Sequence, residues 1–263
     1  MKITFLGTGT SQGVPVIACR CEVCNSKNIK DKRLRTSILI ETDGNIIVVD
    51  TGPDFRQQML REDVRDLDAV LFTHAHKDHV AGMDDIRPFN FRSGKDMPVY
   101  ATESVQEALK REFHYIFRPN PYPGVPKVTL ETIHEEPFMI HDDRWWPLPV
   151  LHHKLPVLGF RIGGFAYITD ANQFSELALE RLEGIDVLVL NALRRESHLS
   201  HFTLEEAIEW AQRIGARQTF FTHISHQLGK HEDVESELPE GISLAYDGLS
   251  GRSIGAEYRG VKA

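Results

Sequence analysis

The stretch Ala69-Val70-Leu71-Phe72-Thr73-His74-Ala75-His76-Lys77-Asp78-His79 sets an apolar run directly against three imidazoles and a carboxylate. The run has the composition of a buried strand, and the polar cluster falls where the chain would turn into a helix. His74 and His76, two apart on extended backbone, point the same way. Asp78 and His79, on the following turn, face a second position close by. Neutral imidazole and carboxylate are the ligands that hold zinc, manganese or iron. A metal centre at the end of a strand is the expectation.

The rest of the chain sets the bounds. Its 263 residues suffice for one large domain or two small ones, and 41% hydrophobic with 26% charged residues is ordinary for a globular protein. No apolar run approaches the ~20 residues that span a bilayer. Residues 1–7 read as a strand entering a glycine turn, with no secretory segment, so a cytoplasmic location is expected. A net charge of −8 argues against a broad basic face for nucleic acid, while leaving room for a pocket that takes a small phosphate ester. Cys19, Cys21 and Cys24 lie too close together for all to pair, and thiolates at this density suggest a metal site lacking one ligand.

Strands are expected at residues 3–6, 36–41, 45–49, 68–72, 127–133, 147–151, 158–162, 165–169, 186–190 and 218–221. Asp43-Gly44 and Gly163-Gly164 supply hairpin turns. Helices are expected near residues 55–61 with Asp54 as cap, 105–117 with Ser104 and Glu107 as a capping box, and 176–182. Thr203 and Glu206 cap a further helix that ends near Gly215. The proline-rich residues 118–126 are an ordered loop. The pattern is α/β, without the spacing of a doubly wound sheet.

Polar residues recur at the ends of these apolar runs: His152 and His153, Asp170, His223, and His226 three residues later. Neighbours on a strand face opposite ways, so only one of His152 and His153 can point inward. Two adjacent metals need a bridging carboxylate. The natural division gives one metal His74, His76 and His152 and the other Asp78, His79 and His223, with Asp170 between them. Water held by two cations is largely hydroxide at neutral pH.

With these residues in place the chain resembles the metallo-β-lactamase superfamily. The run Gly7-Thr8-Gly9-Thr10-Ser11-Gln12-Gly13, the spacing of Cys19, Cys21 and Cys24, and His226 after His223 make it similar to the PhnP-like phosphodiesterase branch, related to tRNA 3′-processing endonucleases. The resemblance implies an αββα four-layer sandwich, one domain over 1–263, with a zinc-binding loop at about 14–30. It favours His152 over His153, and implies two divalent metals (zinc or manganese, or iron) and a structural zinc on Cys19, Cys21, Cys24 and His226. Catalysis falls to Asp78, which also ligates, and to His201, which would protonate a leaving oxygen in preference to nearby His198. Asp50 would support the histidine loop, and Arg35 and Ser37 are candidates to touch phosphate. The function implied is hydrolysis of a small, cyclic ribose-type phosphodiester by metal-held hydroxide. The alternatives are a tRNA 3′-processing endonuclease, a thioester or lactone hydrolase, and a metal-binding protein without catalysis. A homodimer is compatible; membrane association is not expected.

Overall fold

The computed structural model describes residues 1–252, so residues 253–263 of the expected single domain lie outside the described residues. Six strands of the first half, β1 (Lys2–Gly7), β2 (Ser37–Glu41), β3 (Ile46–Val49), β4 (Ala69–Leu71), β5 (Met97–Ala101) and β6 (Val128–Thr132), lie side by side in chain order. A second sheet holds β7 (Phe138–Ile140), β8 (Asp143–His152), β9 (Leu155–Ile162), β10 (Phe165–Tyr167), β11 (Gln173–Phe174), β12 (Val187–Asn191), β13 (Gln218–Thr222) and β14 (Ile242–Leu244). Its order is β11-β8-β9-β10-β12-β13-β14, with β7 paired to β8. The last described strand, β15 (Ser250–Arg252), returns to the first sheet beside β1.

Side-chain alternation sorts the core into three layers. From β3, Ile47 and Val49 face the second sheet while Val48 faces out, and from β12, Val187 and Val189 face the first sheet while Leu188 and Leu190 face out. Phe5, Trp145, Phe160, Tyr167 and Phe220 fill the space between the sheets. Each such buried side chain contributes about 1.5–3 kcal/mol, which explains strands that are apolar on both faces. On the outer face of the first sheet pack α1 (Phe55–Arg61), α2 (Lys77–Val80), α3 (Arg87–Ser93), α4 (Glu103–Glu112) and α5 (His114–Phe117). Over the second lie α6 (Glu176–Leu182), α7 (Leu204–Ile214) and α8 (His231–Glu235). This is the αββα sandwich. No helix among the described residues is long and apolar enough to cross a membrane.

Local signals held unevenly. Thr203 and Glu206 form the capping box of α7, and Gly215, at φ 71°, ends it. The single helix expected over 105–117 is two, α4 and α5, broken at Phe113, and its N-cap is Thr102, whose hydroxyl meets Ser104. Asp54 stands at the N-cap of α1 but gives its carboxylate to the backbone N–H and guanidinium of Arg35. An ion pair outcompeted the cap.

Candidate metal centre

The strands that end toward one edge of the sandwich deliver the predicted ligands. Asp50 follows β3, His74 follows β4, His152 ends β8, Asp170 follows β10 and His223 follows β13. Asp50, Asp170 and His223 have φ of 64°, 54° and 56°. Left-handed backbone at non-glycine residues costs on the order of 1–3 kcal/mol, and here it turns three side chains across the strand ends toward a common point.

The hydrogen bonds around the histidines fix their tautomers. The carbonyl of Ser200 can only accept, so His152 Nδ1, 2.9 Å away, carries the proton and Nε2 is free. His153 lies exposed in the turn beyond β8, so the inward member of that pair is His152. Asp50 accepts from the Thr73 N–H and hydroxyl, both at 2.9 Å, and from His79 Nδ1 at 2.7 Å. The Thr73 oxygen in turn lies 2.9 Å from His74 Nδ1. One buried carboxylate thus orients two histidines, as carboxylates beyond the ligand shell do in metal sites. Burial holds Asp50 above the usual carboxylate range against the pull of His79 and Thr73.

What the free nitrogens face is informative. His79 Nε2 is 3.2 Å from both Asp78 and Asp170, and His223 Nε2 is 3.2 Å from Asp170 and 3.7 Å from Asp78. These nitrogens are buried and have no hydrogen-bond partner among the described residues. His74 Nε2 meets His76 Nδ1 at 3.0 Å, with Nδ1 of His74 already committed to Thr73. Lone pairs aimed at lone pairs and carboxylates are tolerable only around a cation, so the donor set fits divalent metal. The electrostatics agree. Burial disfavours a charged His79, yet Asp170, Asp50 and Asp78 drive its proton affinity well above normal. Burial likewise opposes ionisation of Asp170, but His223 and His79 hold it well below the ordinary range.

His201 is buried, stacked on His223 with ring centroids 4.8 Å apart, and its Nδ1 is 3.9 Å from Asp170. Burial, then His223, pushes its affinity down to about 2. His198 lies beside it, half-buried, at 5.0 Å between rings. Ser37 is fully buried and donates to the carbonyls of Val49 and Asp50, so it cannot reach a phosphate. Arg35 is occupied by Asp54 at 3.0 Å.

A second cluster lies in the N-terminal loop. Cys19 Sγ and Cys21 Sγ are 3.4 and 3.3 Å from His226 Nδ1, and with Cys24 the four ligand atoms lie within 4.8 Å of one another. The N–H groups of Cys24 and Val16 point at Cys21 and Cys24 sulfur. The Cys24 N–H and then His226 lower Cys21 to about 6, whereas burial raises Cys24 to about 11. Three sulfurs and an imidazole at this spacing could close a tetrahedral zinc shell.

Sequence reasoning missed several supports. A Cβ on Gly52 would lie 2.1 Å from the Asp78 carbonyl, and one on Gly82 would lie 2.2 Å from Gly52 oxygen, so both glycines let α2 approach the Asp50 loop. Asn191, at the end of β12, brackets the Ala171 peptide with bonds of 2.8 and 2.9 Å and thereby holds the Asp170 turn. Its place at the end of an apolar run was the same signal that marked Asp170.

Comparison with known proteins bears on this geometry. The Beta-lactamase superfamily domain matches residues 45–224. A Porphyromonas gingivalis protein named octanoyltransferase is 42% identical over 252 residues, covering 95% of this chain; the chain spans about half (51%) of its length. The crystal structure of a diphosphatase from the PhnP family superposes with a TM-score of 0.90 at 40% identity, covering 95% of this chain and 97% of that one. Zinc-bound PqqB from Methylobacterium extorquens shares the fold, with a TM-score of 0.78 at 21% identity over 96% of this chain and 100% of its own.

Proposed function

Because the chain belongs to the metallo-β-lactamase superfamily, in its PhnP-like branch, we propose that this hydrolase cleaves a small phosphodiester with the help of two divalent metals. The observation that carries the reading is Asp170. Its carboxylate belongs both to the cluster of Asp78, His79 and His223 and to that of His152 and His201, as a bridging ligand must. His74, His76 and His152 would hold one metal, and Asp78, His79 and His223 the other, with Asp170 shared. Bound there, divalent metals supply electrophilic centres for phosphate oxygens and make water acidic enough to act as nucleophile.

The chain's own groups do the rest. Asp50 and Thr73 keep His74 and His79 in the ligating tautomer. In the free protein His201 is neutral. An anionic phosphoryl group arriving beside it would raise its proton affinity, and His201 is the group placed to protonate the leaving oxygen. Cys19, Cys21, Cys24 and His226 would hold a structural zinc apart from the reaction. A net charge of −8 favours a small ester over a long polyanion.

The test is a substrate panel on metal-loaded protein: bis(p-nitrophenyl) phosphate, an octanoyl thioester and a precursor tRNA. The phosphodiester should be the fastest. Asp170→Ala should abolish its hydrolysis while one zinc equivalent stays on the cysteine site. Unchanged rates in that variant, or thioester turnover that exceeds phosphodiester turnover, would refute the assignment.

A further inference from the structure

Strand β6 closes the first sheet, and its outer edge is bare. It pairs only with β5. The Lys127 carbonyl accepts from Met97 N–H at 2.8 Å, and the Ile133 N–H donates to the Ala101 carbonyl at 3.1 Å. By the alternation of a strand, Val128, Leu130 and Thr132 therefore turn their N–H and C=O groups away from the sheet. Among the described residues no backbone group meets them. The other sheet edges are blunted. β11, β14 and β15 have three residues or fewer, and the Leu244 N–H of β14 is taken by Glu235 at 2.6 Å. β6 runs for five residues in regular register, with none of the proline, lysine or bulges that commonly guard an edge.

The sequence about this edge is polarised. Residues 113–130 hold Arg118 and Lys127 and no aspartate or glutamate, whereas Glu131, Glu135 and Glu136 follow at once. Such a strand is complementary to itself, in one direction only. Laid antiparallel on a two-fold axis through Leu130, the acid-free end of one copy meets the acidic end of the other. Leu130 then faces its own image, Val128 faces Thr132, and Thr129 faces Glu131, so no like charges are opposed. In parallel pairing the acidic ends would coincide. The antiparallel register also sets the free backbone groups opposite one another, so that each facing pair exchanges two bonds. Val128 and Leu130 are half-buried against the outer core, and pairing carries that core across the joint. The proline loop leading into β6 adds the exposed ring of Tyr122.

We propose that the outer edge of β6 is the interface between two copies of this chain, paired antiparallel about Leu130 so that their first sheets run on as one.

Sedimentation of the full chain should show a dimer at micromolar concentration. Leu130→Lys sets two cations on the axis and should raise the dissociation constant about a hundredfold or more, with the circular dichroism of the parent. Glu135→Lys with Glu136→Lys, both at exposed positions, should raise it about tenfold, most at low salt. Leu130→Cys should form a disulfide-linked dimer under mild oxidation, since facing residues of this kind lie about 5.5 Å apart between Cα atoms. Val128→Cys, roughly 13 Å along the strands from its own image, should cross-link no more than the parent. A parent protein that sediments as a monomer overturns the proposal. So does a dimer undiminished in the two charge variants, or cross-linking through Val128→Cys in place of Leu130→Cys. Should Leu130→Lys lose the parent's circular dichroism, the glutamate pair decides.

Discussion

Asp50, Asp170 and His223 share a left-handed backbone, and the shared conformation has a purpose that their identities alone do not show. A strand ending in ordinary extended geometry would send each side chain along the sheet normal; the turned residue sends it over the strand end, where five histidines and the carboxylates of Asp78 and Asp170 gather. His201 reaches the same place from a loop, and its role is separable from that of the ligands. His201→Ala should slow esters with alkoxide leaving groups by about 10²–10⁴-fold, the range of general-acid catalysis, while p-nitrophenyl esters, whose leaving group needs no proton, should slow far less. A uniform loss across leaving-group pKa values would assign His201 to structure instead. At this scale much was legible. His74, His76, Asp78 and His79 declare themselves by spacing, and Asp170 and His223 by standing at the ends of apolar runs. Asp50 was ambiguous because a turn aspartate reads the same until Thr73 and His79 are seen to converge on it. Ser37 and Arg35 misled for the converse reason: nothing local reveals that a carbonyl or an aspartate has already claimed them.

Among the elements, most strands with apolar runs were legible, including the short β4 and β10; β5, which carries Pro98, and the short edge strands were not. β7, β11, β14 and β15 span three residues or fewer and carry no periodicity of their own; they exist because a longer neighbour offers a free edge. The break between α4 and α5 at Phe113 escaped for a related reason, since that ring is buried in the outer core and packing overrides the helical signal. The short α8 is likewise held from outside. Arg33, fully buried, donates to Nδ1 of His231 at 3.1 Å, and the His231 N–H bonds Asp31 at 2.7 Å. Burial, then Arg33, depresses His231 to about 3 from its ordinary 6.5. Its folded pKa is therefore the lower one, and its contribution to stability is complete above pH 6.5 and lost progressively as pH falls toward 3. The loss amounts to about 3–5 kcal/mol. His231→Gln keeps an acceptor for Arg33 without the titration, so its denaturation midpoint should fall less steeply than that of the parent between pH 6.5 and 4. Parallel slopes would contradict a neutral His231 in the fold.

For the molecule as a whole, the cysteine loop and the catalytic edge are joined through one short segment. His223 and His226 are three residues apart, and between them Ile224 bonds the carbonyl of Thr8 at 2.8 Å and accepts from the Thr10 N–H at 3.1 Å. The cysteine cluster thus braces the glycine turn against the strand end that carries His223. Cys21→Ser should lower the thermal midpoint and the zinc content by one equivalent, with kcat of the surviving folded fraction reduced only severalfold. A fully stable variant with no turnover would contradict the division between the two clusters. The four-layer arrangement was legible only through resemblance, because apolar periodicity says which faces are buried and not which sheets meet.

His226 stands 207 residues after Cys19. At elongation rates of about 5–20 residues per second, a nascent chain carries its three thiols for roughly 10–40 s before their fourth partner leaves the ribosome. During that interval the loop has neither its imidazole nor β13 to dock against. With zinc on these four side chains, as proposed above, the supply of free metal and the oxidation state of the thiols at that moment would set how many newly made chains close the loop.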